Sequence, residues 1–254
     1  MVELSGAILF FGFVGAVVYV DIGGDDDGDV VSSEGPSVVS MKPSPRPETR
    51  VVAPVEVDGW QSVVHEAGVY AYDVPPDWVP KPNAMHGWET EDGTRLTLTT
   101  SAFVGEGYCA DDADRQRGGS GLTVAEGPDA GTIAADTVRR LAEAVYASDG
   151  GAAPEITMKP PETVEITLRG GRKQASLVLA DVAVRDDGDA CLPDTALVGA
   201  LAMETTPNKA VVFLVYDGQD GPDSGSEEEL TRLLTSLRVP DKDKITTTVV
   251  TPTP

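Results

Sequence analysis

Histidine and cysteine are nearly missing from this 254-residue chain, which holds two of each. With His65 and His86 as the whole histidine supply, a three-histidine metal centre is impossible and a mixed one would need carboxylates. No Cys-x-x-Cys pair, Gly-x-Ser-x-Gly elbow, Ser-x-x-Lys pair, HExxH helix or phosphate-binding glycine loop occurs. No catalytic residue, metal site or cofactor is therefore assigned. Basic residues are scarce as well: 19 Lys and Arg stand against 42 Asp and Glu, a net charge of -23. Residues 57–240 alone carry 31 acidic and 14 basic side chains, which leaves -17. Such a surface repels phosphate backbones, so nucleic acid is excluded as a partner, and cations are weakly favoured.

What the chain does have is one long apolar run. From Leu4 to Val20 no group ionises except Tyr19. Those 17 residues would span roughly 26 Å as a helix, a short but sufficient membrane crossing if Ile22 joins them. A cleaved signal peptide would need a basic start and a small-residue cleavage site, and neither is present. Residues 1–22 are thus expected to be a transmembrane anchor, and residues 23–56, rich in Asp, Gly, Ser and Pro, a disordered acidic linker. Within it Gly23, Asp25, Asp27, Gly28 and Glu34 fall on calcium-loop positions, but glycine occupies the first ligand place and Gly35-Pro36 bars an exiting helix. Residues 241–254 read as a disordered Thr/Pro tail.

Between them, residues 57–240 alternate and cluster as a folded domain should. Gly68–Val74 reads as a strand ended by Pro75-Pro76, and Met85–Thr90 and Arg95–Phe103 flank a hairpin-forming Asp92-Gly93. Ile133, Val138, Leu141 and Val145 mark an amphipathic helix over residues 131–147. Strands are expected again over 163–168, 174–184, 196–204 and 210–216, the last two joined by Pro207-Asn208. Ser226 with Glu229 forms a capping box ahead of Leu230, Leu233, Leu234 and Leu237. Two strand groups, each followed by a helix, imply an α+β domain: an antiparallel sheet packed with helices, following one N-terminal transmembrane helix.

Cys109 and Cys191 follow predicted strands. An exported domain would oxidise them to a disulfide, worth roughly 4 kcal/mol for a loop of this length. Trp60, Trp78 and Trp88 with Tyr70 and Tyr72 gather in the first third of the domain. They suit either core packing or an aromatic-lined groove; Trp78, Trp88 and Tyr72 are the candidate binding residues. Residues 105–127, with Arg115, Arg117 and Gly118–Gly121, and residues 217–225, with three aspartates, read as exposed loops. If the domain were an enzyme, Asp73, Asp77 and Asp217 would be the acids to examine.

The ordered landmarks Trp60, Tyr72-Asp73-Val74-Pro75 with Trp78, Tyr108-Cys109-Ala110, Cys191 and Thr235-Ser236-Leu237-Arg238 carry a resemblance. Over about residues 57–240 the chain resembles an actinobacterial family of membrane-anchored extracytoplasmic domains of unknown function. It is also similar to PsbP-like folds and to mycobacterial envelope lipoproteins, though a transmembrane segment replaces their lipidated cysteine. The resemblance implies a layered sandwich in the cell envelope, single-pass, with its C-terminal domain outside the cytoplasm. It implies a binding or adaptor role toward an envelope protein, glycan or lipid, with a carboxylate-dependent enzyme or a purely structural protein as the alternatives.

Overall fold

The computed structural model describes residues 48–89, 95–109, 115–147, 152–168, 171–185, 191–221 and 223–250. The expected membrane helix over residues 1–22 and most of the linker lie outside them. Among the described residues no helix is long and apolar enough to cross a membrane.

In chain order the strands are β1 (Glu48–Val52), β2 (Gln61–Val64), β3 (Ala71–Val74), β4 (Val79–Glu89), β5 (Arg95–Val104) and β6 (Gly118–Glu126). Helix α1 (Ala130–Tyr146) follows, then β7 (Glu155–Met158), β8 (Glu162–Leu168), β9 (Gly171–Ala183), β10 (Thr195–Thr206) and β11 (Lys209–Gly218). Helix α2 (Glu227–Thr235), a 3-10 turn at Lys242–Lys244 and β12 (Thr246–Val250) complete it. The main sheet runs β4-β5-β6-β11-β10-β9, with β7 and β8 both paired to the far side of β9, and all of these pairs are antiparallel.

Alternation along the central strands builds two cores from one sheet, because successive side chains leave opposite faces. Val212, Leu214 and Tyr216 of β11 meet α1, whereas Phe213 and Val215 meet α2 and the β2–β3 hairpin. Helix α1 starts where Asp129 accepts a hydrogen bond from the Thr132 amide at 2.9 Å, and it buries Ile133, Val138, Leu141 and Tyr146. Helix α2 starts at Ser226, which accepts from the Glu229 amide at 3.2 Å, and it buries Leu230, Leu233 and Leu234. Each of these leucines contributes about 1.5–3 kcal/mol by leaving water. The result is the expected α+β architecture, a mostly antiparallel sheet with one helix on each face.

Several stretches differ from the sequence expectation; β2 and β7 form where no strand was expected. Residues 118–126, expected as exposed loop, are a central strand between β5 and β11. Its glycines are required by close approach: a Cβ on Gly119 would lie 2.7 Å from the Tyr216 hydroxyl, and one on Gly121 2.8 Å from Leu98 Cβ. Residues 48–52 and 246–250, expected as linker and tail, pair as an antiparallel ribbon in which Arg50 lies opposite Thr248. That pairing joins segments about two hundred residues apart, which no local pattern announces. The loop over 217–225 is partly strand: β11 runs on to Gly218, and Ser224 ties the turn by donating to the Gly218 and Gly221 carbonyls, both at 2.9 Å.

Candidate functional site

The three aromatic candidates do not form one groove. Tyr72 is fully buried, its ring 4.4 Å from that of Phe213, and Trp78 is only 4% exposed in the same core. Trp88 is half-buried against the other core, beneath α1. Tyr72 has a different duty. Its hydroxyl donates to the Thr100 carbonyl at 2.6 Å, while the Tyr70 and Thr100 hydroxyls are 2.8 Å apart. Thr100 has φ of 55°, a conformation costly for a β-branched residue, and it sits at the irregularity where β5 shifts register against β6. The two tyrosines hold that bulge in place. Burial raises the Tyr72 phenol far above its ordinary pKa, so it acts as a neutral donor.

Beyond the bulge, Ser101 turns toward His86, whose Nδ1 is 2.9 Å from the serine hydroxyl. The imidazole stands among Trp88, Phe103 and Tyr216, with ring centroids 5.2, 4.7 and 6.3 Å away. Its Nε2 is buried without a partner, and burial pushes its pKa down to about 4. His86 is therefore neutral at physiological pH.

The carboxylates expected to serve an enzyme are largely committed to structure. Asp73 pairs with Arg238 at 2.7 Å and accepts the amides of Glu56 and Val57 at 2.6 and 3.1 Å. Asp217 pairs with Arg117 at 2.9 Å and accepts the Gly225 amide at 2.7 Å. Arg117 also donates to the Asp223 carbonyl, so the two stretches expected as exposed loops are bound to each other through one guanidinium. Burial raises the Asp217 pKa against the pull of Gly225 and Arg117. Asp77 is exposed. Glu229 is raised by burial and then by Asp77, so these acids feel one another without forming a metal cluster among the described residues. Cys109 and Cys191 form the expected disulfide, closing 82 residues with Cα atoms 5.3 Å apart.

A groove of about 590 Å³ opens where α2 leaves a corner of the sheet bare. Thr157, Asp181 and Leu197 lie abreast on β7, β9 and β10, and Glu155, Thr195, Gln219 and Glu227 surround them. Lys159 bridges one wall: its ammonium contacts Glu227 and lies 3.5 Å from Asp181. Glu227 above all, with Asp181, raises the Lys159 pKa, so the lysine stays charged. Glu155, Asp181 and Glu227 against Lys159 leave the groove a net charge of about -2. Its Leu197 floor is apolar. None of these residues was singled out from sequence. The available signal was Asp181, a charge inside the apolar run Leu177–Val184. A second hollow, about 260 Å³, lies at Gly87 on edge strand β4, beside Met85, Trp88 and Arg95.

A family model described as a domain of unknown function, DUF8017, matches residues 53–242. No curated protein matches the chain. Among solved structures it is similar to the solution structure of cyanobacterial PsbP (CyanoP) from Synechocystis sp. PCC 6803, at 14% identity and a TM-score of 0.36, covering 73% of this chain and 95% of that one. It is also similar to a crystal structure from Bacteroides thetaiotaomicron VPI-5482, at 12% identity and a TM-score of 0.31. That match covers 74% of this chain and 50% of the other. At such identities and scores neither likeness transfers a ligand or an activity.

Proposed function

This chain belongs to the DUF8017 family, whose function is unknown, and from that premise we propose that it is a membrane-anchored, extracytoplasmic binding module of the cell envelope. The observation that carries the binding reading is the acidic groove beside α2, where a covered sheet face is left open over Leu197. An apolar floor with a carboxylate-rich wall suits an envelope protein or lipid-linked partner that presents an amine or a basic side chain over an apolar contact. The Cys109–Cys191 disulfide supports placement in an oxidising compartment, and the apolar run Leu4–Val20 supplies the anchor. The resemblance to an actinobacterial family of anchored domains points the same way.

Two experiments test the two halves separately. Alkylating thiols in intact cells before lysis, then reducing and alkylating again, should label Cys109 and Cys191 only in the second step; two thiols labelled in the first would remove the compartment. A photo-crosslinking residue at Thr157 should give a discrete adduct in cells that Asp181→Lys abolishes. The same probe at exposed Thr205 should not give it, and identical patterns from both positions would remove the groove.

A further inference from the structure

We propose that the outer edge of β12 pairs with β12 of a second copy of this chain. Among the described residues β12 has one partner, β1, and the ribbon they form is a separate two-stranded sheet. A lone two-stranded ribbon is marginal in water, since three or more strands or good packing are needed to hold one. Packing here is slight: Val51 and Ile245 rest on a cluster of only Ala53, Val64 and Ala71. Thr246 to Val249 are exposed, and Val249 is 66% so.

The two edges of the main sheet carry devices against pairing. Edge strand β4 contains Pro80, Lys81 and Pro82, and the edge along β9 is broken between β7 and β8 by Pro160-Pro161 and bears Glu155, Glu162 and Glu165. Strand β12 has none. It reads Thr-Thr-Thr-Val-Val, five β-branched residues without a charge, glycine or proline.

The occupant follows from that composition. Two copies of β12 run antiparallel about a two-fold axis at Thr248, which sets Thr246 opposite Val250, Thr247 opposite Val249, and Thr248 opposite its own equivalent. Every pair is Thr–Val or Thr–Thr, the kind that stabilises cross-strand contact. No like charges meet, although each chain carries -23. The product is a four-stranded sheet in the order β1-β12-β12-β1. Five residues a side bury less than the roughly 1,200 Å² of a stable interface, so the association is weak and reversible. Salt strengthens it by screening the two acidic bodies.

The test uses the full chain, purified in detergent, as the variant Thr248→Cys, with Val69→Cys at another exposed position as the control. Under mild oxidation Thr248→Cys should form a covalent dimer at least tenfold faster than Val69→Cys, faster still in high salt. Mass spectrometry should find the bond between the two copies of position 248, with Cys109–Cys191 intact. Thr248→Asp, which sets two carboxylates opposite each other, should lower self-association in analytical ultracentrifugation while leaving the melting temperature unchanged. Equal cross-linking from positions 69 and 248, or undiminished association of Thr248→Asp, would overturn the proposal.

Discussion

Acidification from pH 7 to pH 5 should cost this domain stability through His86. An unfolded chain binds a proton at that imidazole near pH 6.5, whereas the folded protein resists until about pH 4, because burial among Trp88, Phe103 and Tyr216 penalises the charged ring. The folded pKa is depressed, so the stabilisation is fully present above pH 6.5 and is lost as pH falls toward 4. The whole shift is worth about 3.4 kcal/mol at 1.36 kcal/mol per pKa unit. Integrating the linkage relation between these two pKa values gives about 0.2 kcal/mol lost at pH 7 and about 2.0 at pH 5, a difference of about 1.8 kcal/mol. Urea denaturation of the wild type and of His86→Gln at pH 7, 6 and 5 isolates this contribution. Asp217 and Glu229, whose raised pKa values act in the opposite sense, are common to both proteins and cancel. The wild type should lose about 1.8 kcal/mol relative to the variant over that range. A flat difference between the two curves would refute the reasoning and mean that the ring accepts its proton at no cost in the fold.

Other outcomes follow from the same structure. Asp73→Asn strands Arg238 in the interior and should lower stability by about 3–5 kcal/mol in chemical denaturation. Gly121→Ala drives a methyl into Leu98 and the Thr99 carbonyl, and should cost about 1–3 kcal/mol, read as a fall in melting temperature. Replacing Cys109 and Cys191 by serine should cost about 4.5 kcal/mol in the chain-entropy picture, and the native protein should show no free thiol until reduced.

Elements whose cause is local were legible in the sequence. The capping box at Ser226 and Glu229 with its leucine stripe, the apolar spacing of α1, and the strands flanking Asp92-Gly93 each carry their signal within about a dozen residues. Strand β6 does not. Gly118-Gly119-Ser120-Gly121 looks like a loop until Tyr216 and Leu98, brought in from other strands, fill the space its side chains would need. Tyr72 and Trp88 were read into one groove because alternation fixes that neighbours face opposite ways and cannot say which way is outward, and Trp78 lies in the turn before β4, where no alternation applies.

Sequence alone determined the α+β class, the net acidity and the lone cysteine pair, since each depends on residue type and short spacing. Tertiary structure alone decided that Asp73 and Asp217 are partners of Arg238 and Arg117, that β1 meets β12, and that the open corner lies over Leu197 between Asp181 and Glu227. Those outcomes depend on which distant strands become neighbours. Chain separations of up to about two hundred residues leave no periodic trace, and only the closing of both cores around one sheet selects among them.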